Sequence, residues 1–188
     1  MDFERWAWAG QDRYPGFCLT LVHERTPQTV AEALGAGTLS VMTLAEAEHH
    51  FPISSPGTLL RLGTSGNWTF CFEDRAPIAN REPAIARLSA GTRLLQVTKS
   101  GDGMTVMRNV VDGQQLEAFE PATAAAGGGT TLRLRVDSVP ASYPRIVAAL
   151  ATAADETGIE LDRATLEGPL ATALSTLREP AILRRQAR

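Results

Sequence analysis

The sequence predicts an α+β fold, a mainly antiparallel sheet of about six to seven strands with helices packed on one side. Three observations lead there. Segments rich in β-favouring residues recur through the first two thirds of the chain. Three of them are joined by the turns Gly101-Asp102-Gly103 and Asp112-Gly113, and Asp-Gly is a strong type I′ hairpin signal. Helix starts with recognisable caps, together with an amphipathic stretch from Tyr143 to Thr157, supply the other component.

Taken in order, FCLTLVH at 17–23 has apolar or β-favouring residues on both alternating sets, the pattern of a central strand. Thr26 then opens a helix as N-cap, Pro27 sits at the first helical position where a missing N–H costs nothing, and Gly35 stops it. A brief strand is expected over Thr38–Met42. Thr43 and Glu46 have capping-box spacing before LAEAEHH, which Pro52 ends. TLLRLGTSG (58–66) and NWTFCFED (67–74) read as a hairpin with Trp68, Phe70 and Phe72 on one face. Asn80 is the expected cap of a helix carrying Ile85 and Leu88, with Gly91 at its end. RLLQVTKS, MTVMRNVV and QQLEAFEP come next as the meander. The Ala/Gly-rich stretch 122–131, with glycines at 127–129, reads as a flexible loop. LRLRV at 132–136 alternates and is expected to return to the sheet as a strand. The C-terminal part, 143–178, is expected to be helical: one helix over Tyr143–Thr157 stopped by Gly158, then a shorter helical pair from about Arg163 to Leu177.

At 188 residues the chain fits one domain spanning 1–188, and a chain of this size buries roughly 70% of its unfolded surface. Apolar residues make up 44% and charged residues 21%, which separates it from core-poor, highly charged disordered chains. A net charge of −3 lacks the basic footprint of a nucleic-acid binder, so nucleic acid is not an expected partner. Cys18 and Cys71 have neither zinc-site spacing nor disulfide-scaffold density, and read as two buried thiols. The start MDFERWAWAG lacks a basic segment followed by an apolar one, and no apolar run reaches about 18 residues. The expectation is a cytoplasmic protein without a membrane partner.

The pieces YPGFCLTLVHERTPQTVAEALGAG, GNWTFCFED, LSAGTRLLQV, DGQQLEAFEP and AALATAADETGIELDRATLEGPL span most of the chain. In this order they resemble an actinobacterial family of unknown function, common in Streptomyces and its relatives. The resemblance implies a bacterial cytoplasmic setting and no assigned chemistry, since each piece is a structural segment and none is a catalytic motif.

Candidate sites are few. His49 and His50 follow Glu46 and Glu48 on one helix, and Glu46 to His50 is an i,i+4 spacing that places two metal ligands on one face. A metal needs three or more converging ligands and HExxH is absent, so the pattern reads first as a solvated helix end, which His23 joins only if the fold brings it there. Glu73, Asp74 and Glu120 lie at strand ends, where paired carboxylates serve as acid and base if their surroundings split their pKa values. Ser54-Ser55-Pro56-Gly57 and Gly63-Thr64-Ser65-Gly66 match neither a nucleophile elbow nor a phosphate loop and read as turns. The glycines at 127–129 precede a predicted strand and place no helix end for a pyrophosphate. Trp6, Trp8, Tyr14 and Phe17 are either an interface or core, with core preferred. Arg178, Arg184, Arg185 and Arg188 form a basic, solubilising tail.

No cofactor, metal ligand set or catalytic residue is assigned on this basis. Two readings stand. One is a non-catalytic protein-interaction or accessory domain, of immunity type for instance, whose partner is another protein. The alternative is a small enzyme or ligand-binding domain with a site assembled from His49, His50, Glu73 and neighbouring side chains. The absence of a convergent polar motif favours the first.

Overall fold

The computed structural model describes residues 1–11, 13–74, 76–121 and 131–176. A 3-10 helix over Glu4–Gly10 is followed by β1 (Phe17–His23), α1 (Pro27–Ala33), β2 (Ser40–Met42), α2 (Leu44–His50), β3 (Thr58–Ser65) and β4 (Trp68–Glu73). Then come α3 (Glu82–Ser89), β5 (Arg93–Lys99), β6 (Thr105–Val111), β7 (Gln114–Phe119), α4 (Thr131–Asp137), α5 (Arg145–Thr157), α6 (Arg163–Glu167) and β8 (Leu170–Ser175). The strands form one antiparallel sheet in the order β2-β8-β3-β4-β1-β5-β6-β7.

Several elements arise directly from local chemistry. Thr26 accepts from the Thr29 amide with Pro27 in the first turn, as expected for α1. Thr43 and Glu46 close the capping box of α2 from both directions. β3 and β4 make the expected hairpin, in which Gly63 leaves room for Phe70: a Cβ there would lie 2.5 Å from the ring. Asp112 and Gly113 both take positive φ, 47° and 74°, as the type I′ turn between β6 and β7 requires.

Strand alternation places two different sets of side chains on the two sheet faces, and both are covered. Phe17, Leu19, Leu21, Phe70, Phe72, Leu95, Val97 and Met107 form one core with Trp6, Trp8 and the buried face of α5. Cys18, Val22, Leu60, Leu62, Cys71, Leu94 and Val110 form the other, under α1 and α3. Helices on one side only was therefore a wrong expectation. β1, β4 and β5 are buried on both alternating sets, and each set needs its own cover.

Three further expectations are corrected. Among the described residues the sheet has eight strands, because Leu170–Ser175 is a strand inserted between β2 and β3 and not the second half of a helical pair. Only the single turn of α6 is helical, capped by Asp162 on the Thr165 amide. Helix propensity in LATALS is overridden because two flanking strands bond its backbone and Ala173 fills the core under α1. LRLRV is helix, not strand. Leu132 and Val136 are buried one turn apart while Leu134 is 51% exposed, and Arg135 pairs with Asp155 and Glu156 of α5. Residues spaced 132, 134, 136 satisfy a period of two, yet the outer pair also satisfies i,i+4, so a run this short fits either element. Finally, Arg81 and not Asn80 occupies the cap position of α3, without a side-chain cap bond. The loop expected over 122–131 lies outside the described residues, except that Thr131 begins α4.

Candidate functional site

A polar cluster lies in the interior on the α1/α3 face of the sheet. Glu73 ends β4 opposite Cys18 of β1, and Cys18 faces Thr98 of β5. In the next row, Cys71, Thr20, Gln96 and Arg108 stand side by side on β4, β1, β5 and β6. These side chains grip the main chain of the segment between β4 and α3. Glu73, fully buried, accepts from the amides of Ile78 (2.8 Å) and Ala79 (3.2 Å). Gln96 donates through Nε2 to the Ala79 carbonyl (3.0 Å) and to Thr20 Oγ1 (3.0 Å). Arg108 Nη1 donates to the Asn80 carbonyl (3.1 Å) and to Gln96 Oε1 (3.3 Å).

Burial sets the ionisation of this cluster. It pushes the Glu73 carboxyl up to about 7, against the opposing pull of the Ile78 and Ala79 amides and the charge of Arg81. Burial likewise pushes the Cys18 thiol up to about 12 and the Cys71 thiol well above its ordinary value, with the neighbouring Glu73 charge acting the same way. Both sulfurs are therefore protonated at neutral pH and are poor nucleophiles.

Two further cations, the buried Arg61 and the half-buried Lys99, are also bound to the main chain. Arg61, 1% exposed, donates through Nη1 to the Met42 carbonyl (2.7 Å) and Thr172 Oγ1 (2.9 Å), and through Nη2 to the carbonyls of Leu166 (2.9 Å) and Gly168 (2.6 Å). It fastens β2, α6 and β8 to β3. Lys99 Nζ donates to the carbonyls of Ala9 (2.9 Å) and Tyr14 (3.0 Å) and ties the N-terminal aromatic segment to β5.

The histidine site anticipated from sequence is not brought together with Glu73. His49 and His50 are exposed on α2, and Glu46 is engaged in the capping box. Through Leu44 and Ala47, α2 packs on Leu59, which shares a face with Arg61 and Phe72; Glu73 lies on the opposite face. His23 instead lies against the Trp68 ring, centroids 4.9 Å apart. Among the described residues no group of three or more His, Cys, Asp or Glu side chains converges on a metal position. Glu120 follows β7, which β1, β5 and β6 separate from β4, so it does not pair with Glu73 or the half-buried Asp74. Gly63, Thr64 and Ser65 belong to β3 and not to a turn, whereas Ser54 and Ser55 do lie in the turn before it. The glycines at 127–129 and the C-terminal arginines lie outside the described residues; the element that comes after the glycines is the helix α4, not the expected strand.

Trp6, Trp8, Tyr14 and Phe17 are core residues, all 5% exposed or less. Arg61, Gln96, Lys99 and Arg108 were not singled out by sequence. A signal existed for two of them: Arg61 in LLRLG and Gln96 in LLQVT are polar residues inside otherwise apolar strands, which in a sheet covered on both faces must find buried partners.

At the opposite end of the sheet, β2 is the edge strand among the described residues, and of these strands it bonds β8. Val41 is 74% exposed there. Between β2 and α2 lies an open concavity of about 510 Å³ lined by Val41, Met42, Ala45, Glu46, His49 and His50. No described helix is long and apolar enough to cross a membrane.

Fold and interior thus define a class: an antiparallel sheet covered by helices on both faces, whose buried polar side chains serve its own main chain. A family model matches residues 2–140, and the chain belongs to that family, the Family of unknown function (DUF6461). The match takes in β1 to β7 and ends before α5. Neither the curated proteins nor the solved structures include a match to this chain.

Proposed function

We propose that the chain is a non-catalytic protein-interaction domain that meets its partner, another protein, at the β2 edge. The observation that carries this reading is the concavity between β2 and α2, where Val41 stands exposed beside a half-paired strand and two histidines. An edge strand offers unpaired main-chain groups to an extended segment, and apolar side chains beside it give that segment its specificity. In the interior, by contrast, Glu73, Arg61 and Gln96 are engaged by the protein's own amides and carbonyls. An accessory or immunity-type role in a bacterial, actinobacterial cytoplasm fits a single domain of this kind. Copurification of the tagged protein from such a lysate, followed by titration of the partner obtained, tests the reading. Val41→Glu is expected to weaken binding at least tenfold with an unchanged melting temperature. Binding unaffected by Val41→Glu, or a stoichiometric small molecule in place of a protein, overturns it.

A further inference from the structure

The concavity at the β2 edge has two walls that meet at a corner. Val41 and Met42 end β2, Thr43 caps α2, and Ala45, Glu46, His49 and His50 follow on the helix. A segment docked there meets both walls at once, so its fit depends on how firmly the corner is held. The sheet backbone supplies a short hold: β2 pairs with β8 over three residues, whereas β1 pairs with β4 over six. α2 adds Leu44 and Ala47, packed on Leu59 of β3. Arg61 adds a third hold. Arg61, Thr172 and Ser40 form one row across β3, β8 and β2, and the Arg61 side chain reaches across β8 to donate from Nη1 to the carbonyl of Met42, the last residue of β2 (2.7 Å). The same nitrogen donates to Thr172 Oγ1, and Nη2 donates to the Leu166 and Gly168 carbonyls at the end of α6. Four acceptors on three elements fix the planar guanidinium in one orientation.

We infer that Arg61 is the positioning residue of the docking edge: by tying the Met42 carbonyl to β8 and α6, it holds the β2–α2 corner in the shape that the partner meets. The inference rests on the β2 edge being the docking site and names what presets it. A strand fixed before binding gives up less freedom on binding, which raises affinity without a direct contact. Arg61 is 1% exposed, so it acts through the corner and does not itself meet the partner. Lysine does not replace it. An ammonium has one nitrogen, whereas Arg61 uses two, one toward Met42 and Thr172 and the other toward Leu166 and Gly168.

Amide hydrogen exchange of the full chain tests this without a partner, so its result stands apart from that of the Val41→Glu binding test. In Arg61→Met, protection of the β2 amides that bond β8 is expected to fall about tenfold further than protection of Leu21 in β1, which follows global stability. Arg61→Lys should show the same excess at β2. A fall at β2 no larger than at Leu21 in Arg61→Met, or native β2 protection in Arg61→Lys, overturns the proposal. Should neither variant fold, the guanidinium resonances of Arg61 in the native chain decide. Slow solvent exchange and hindered rotation at both Nη groups, with a hydrogen-bond coupling from Nη1 to the Met42 carbonyl carbon, support it; a freely rotating guanidinium overturns it. Undiminished capture of a partner protein by a variant whose β2 has loosened also overturns the positioning role, whereas capture unaffected by Val41→Glu overturns the docking reading itself.

Discussion

The two faces of the sheet solve the same burial problem with different chemistry. Under α5 the face is mainly aromatic and apolar, with Arg61 beside Phe72 as its buried charge: Phe72 meets Trp8, Tyr14 and Phe17 with ring centroids 5.3 to 5.9 Å apart, in edge-on and tilted arrangements. Under α1 and α3 the face carries a row of Thr20, Gln96 and Arg108 beside Glu73 and Cys18. The first gains its stability from area removed from water and from ring packing. The second spends part of that gain on desolvating polar groups, and what it obtains is a defined path for the main chain between β4 and α3. The comparison teaches that burial alone does not say what a face is for. Whether the buried groups bond other side chains or the backbone is the more informative question.

The contrast can be broken or sharpened by substitution. The largest effect is expected from Phe72→Ala on the aromatic face, about 4 kcal/mol, because the removed ring leaves a cavity among three other rings; urea unfolding measures it. A loss below about 1 kcal/mol would mean the aromatic face is not the main source of stability. Gln96→Leu on the polar face is expected to cost less, about 1–2 kcal/mol, since it leaves the Ala79 carbonyl unpaired but adds apolar volume. Its signature is a raised rate of proteolysis between Asp74 and Arg81 relative to the native chain, which Phe72→Ala does not share when compared at equal global stability. The smallest effect is expected from Leu134→Ser. As the outward residue of α4 it should change stability by no more than about 0.5 kcal/mol, whereas the strand reading of LRLRV would bury it and cost several times more.

Much of the fold was legible because its signals are local. The caps of α1 and α2, the β3–β4 hairpin, the Asp112-Gly113 turn and the Gly158 stop of α5, with its φ of 69°, each depend on a few adjacent residues. The misreadings fall where the pattern was short or where the deciding contact was distant. LRLRV has too few residues to separate the two periods. LATALS is helix-favouring by composition and becomes a strand only because β2 and β3 lie on either side of it. Asn80 was expected to cap α3 from its position, yet its carbonyl is taken by Arg108, 28 residues further on. Of the candidate site residues, the buried aromatics were placed in the core by their type, and Glu73 was noticed as a strand-end acid. That it is dry and bound to two amides depends on the return of residues 78 and 79 over the sheet.

What the sequence by itself determined is the alternation of helices and strands up to β7, the turns between them and the membership of buried aromatic residues in the core. These come from backbone preferences and side-chain size acting over one or two turns of chain. Only the tertiary structure decided that helices cover both faces, that an eighth strand enters between the second and third, that His49 and His50 stand on the opposite side of the sheet from Glu73, and that Glu73, Gln96 and Arg108 converge on one segment. Each of these depends on which strands become neighbours. Strand neighbourhood is set by the summed burial and hydrogen bonding of residues far apart in the chain, and no local window contains it.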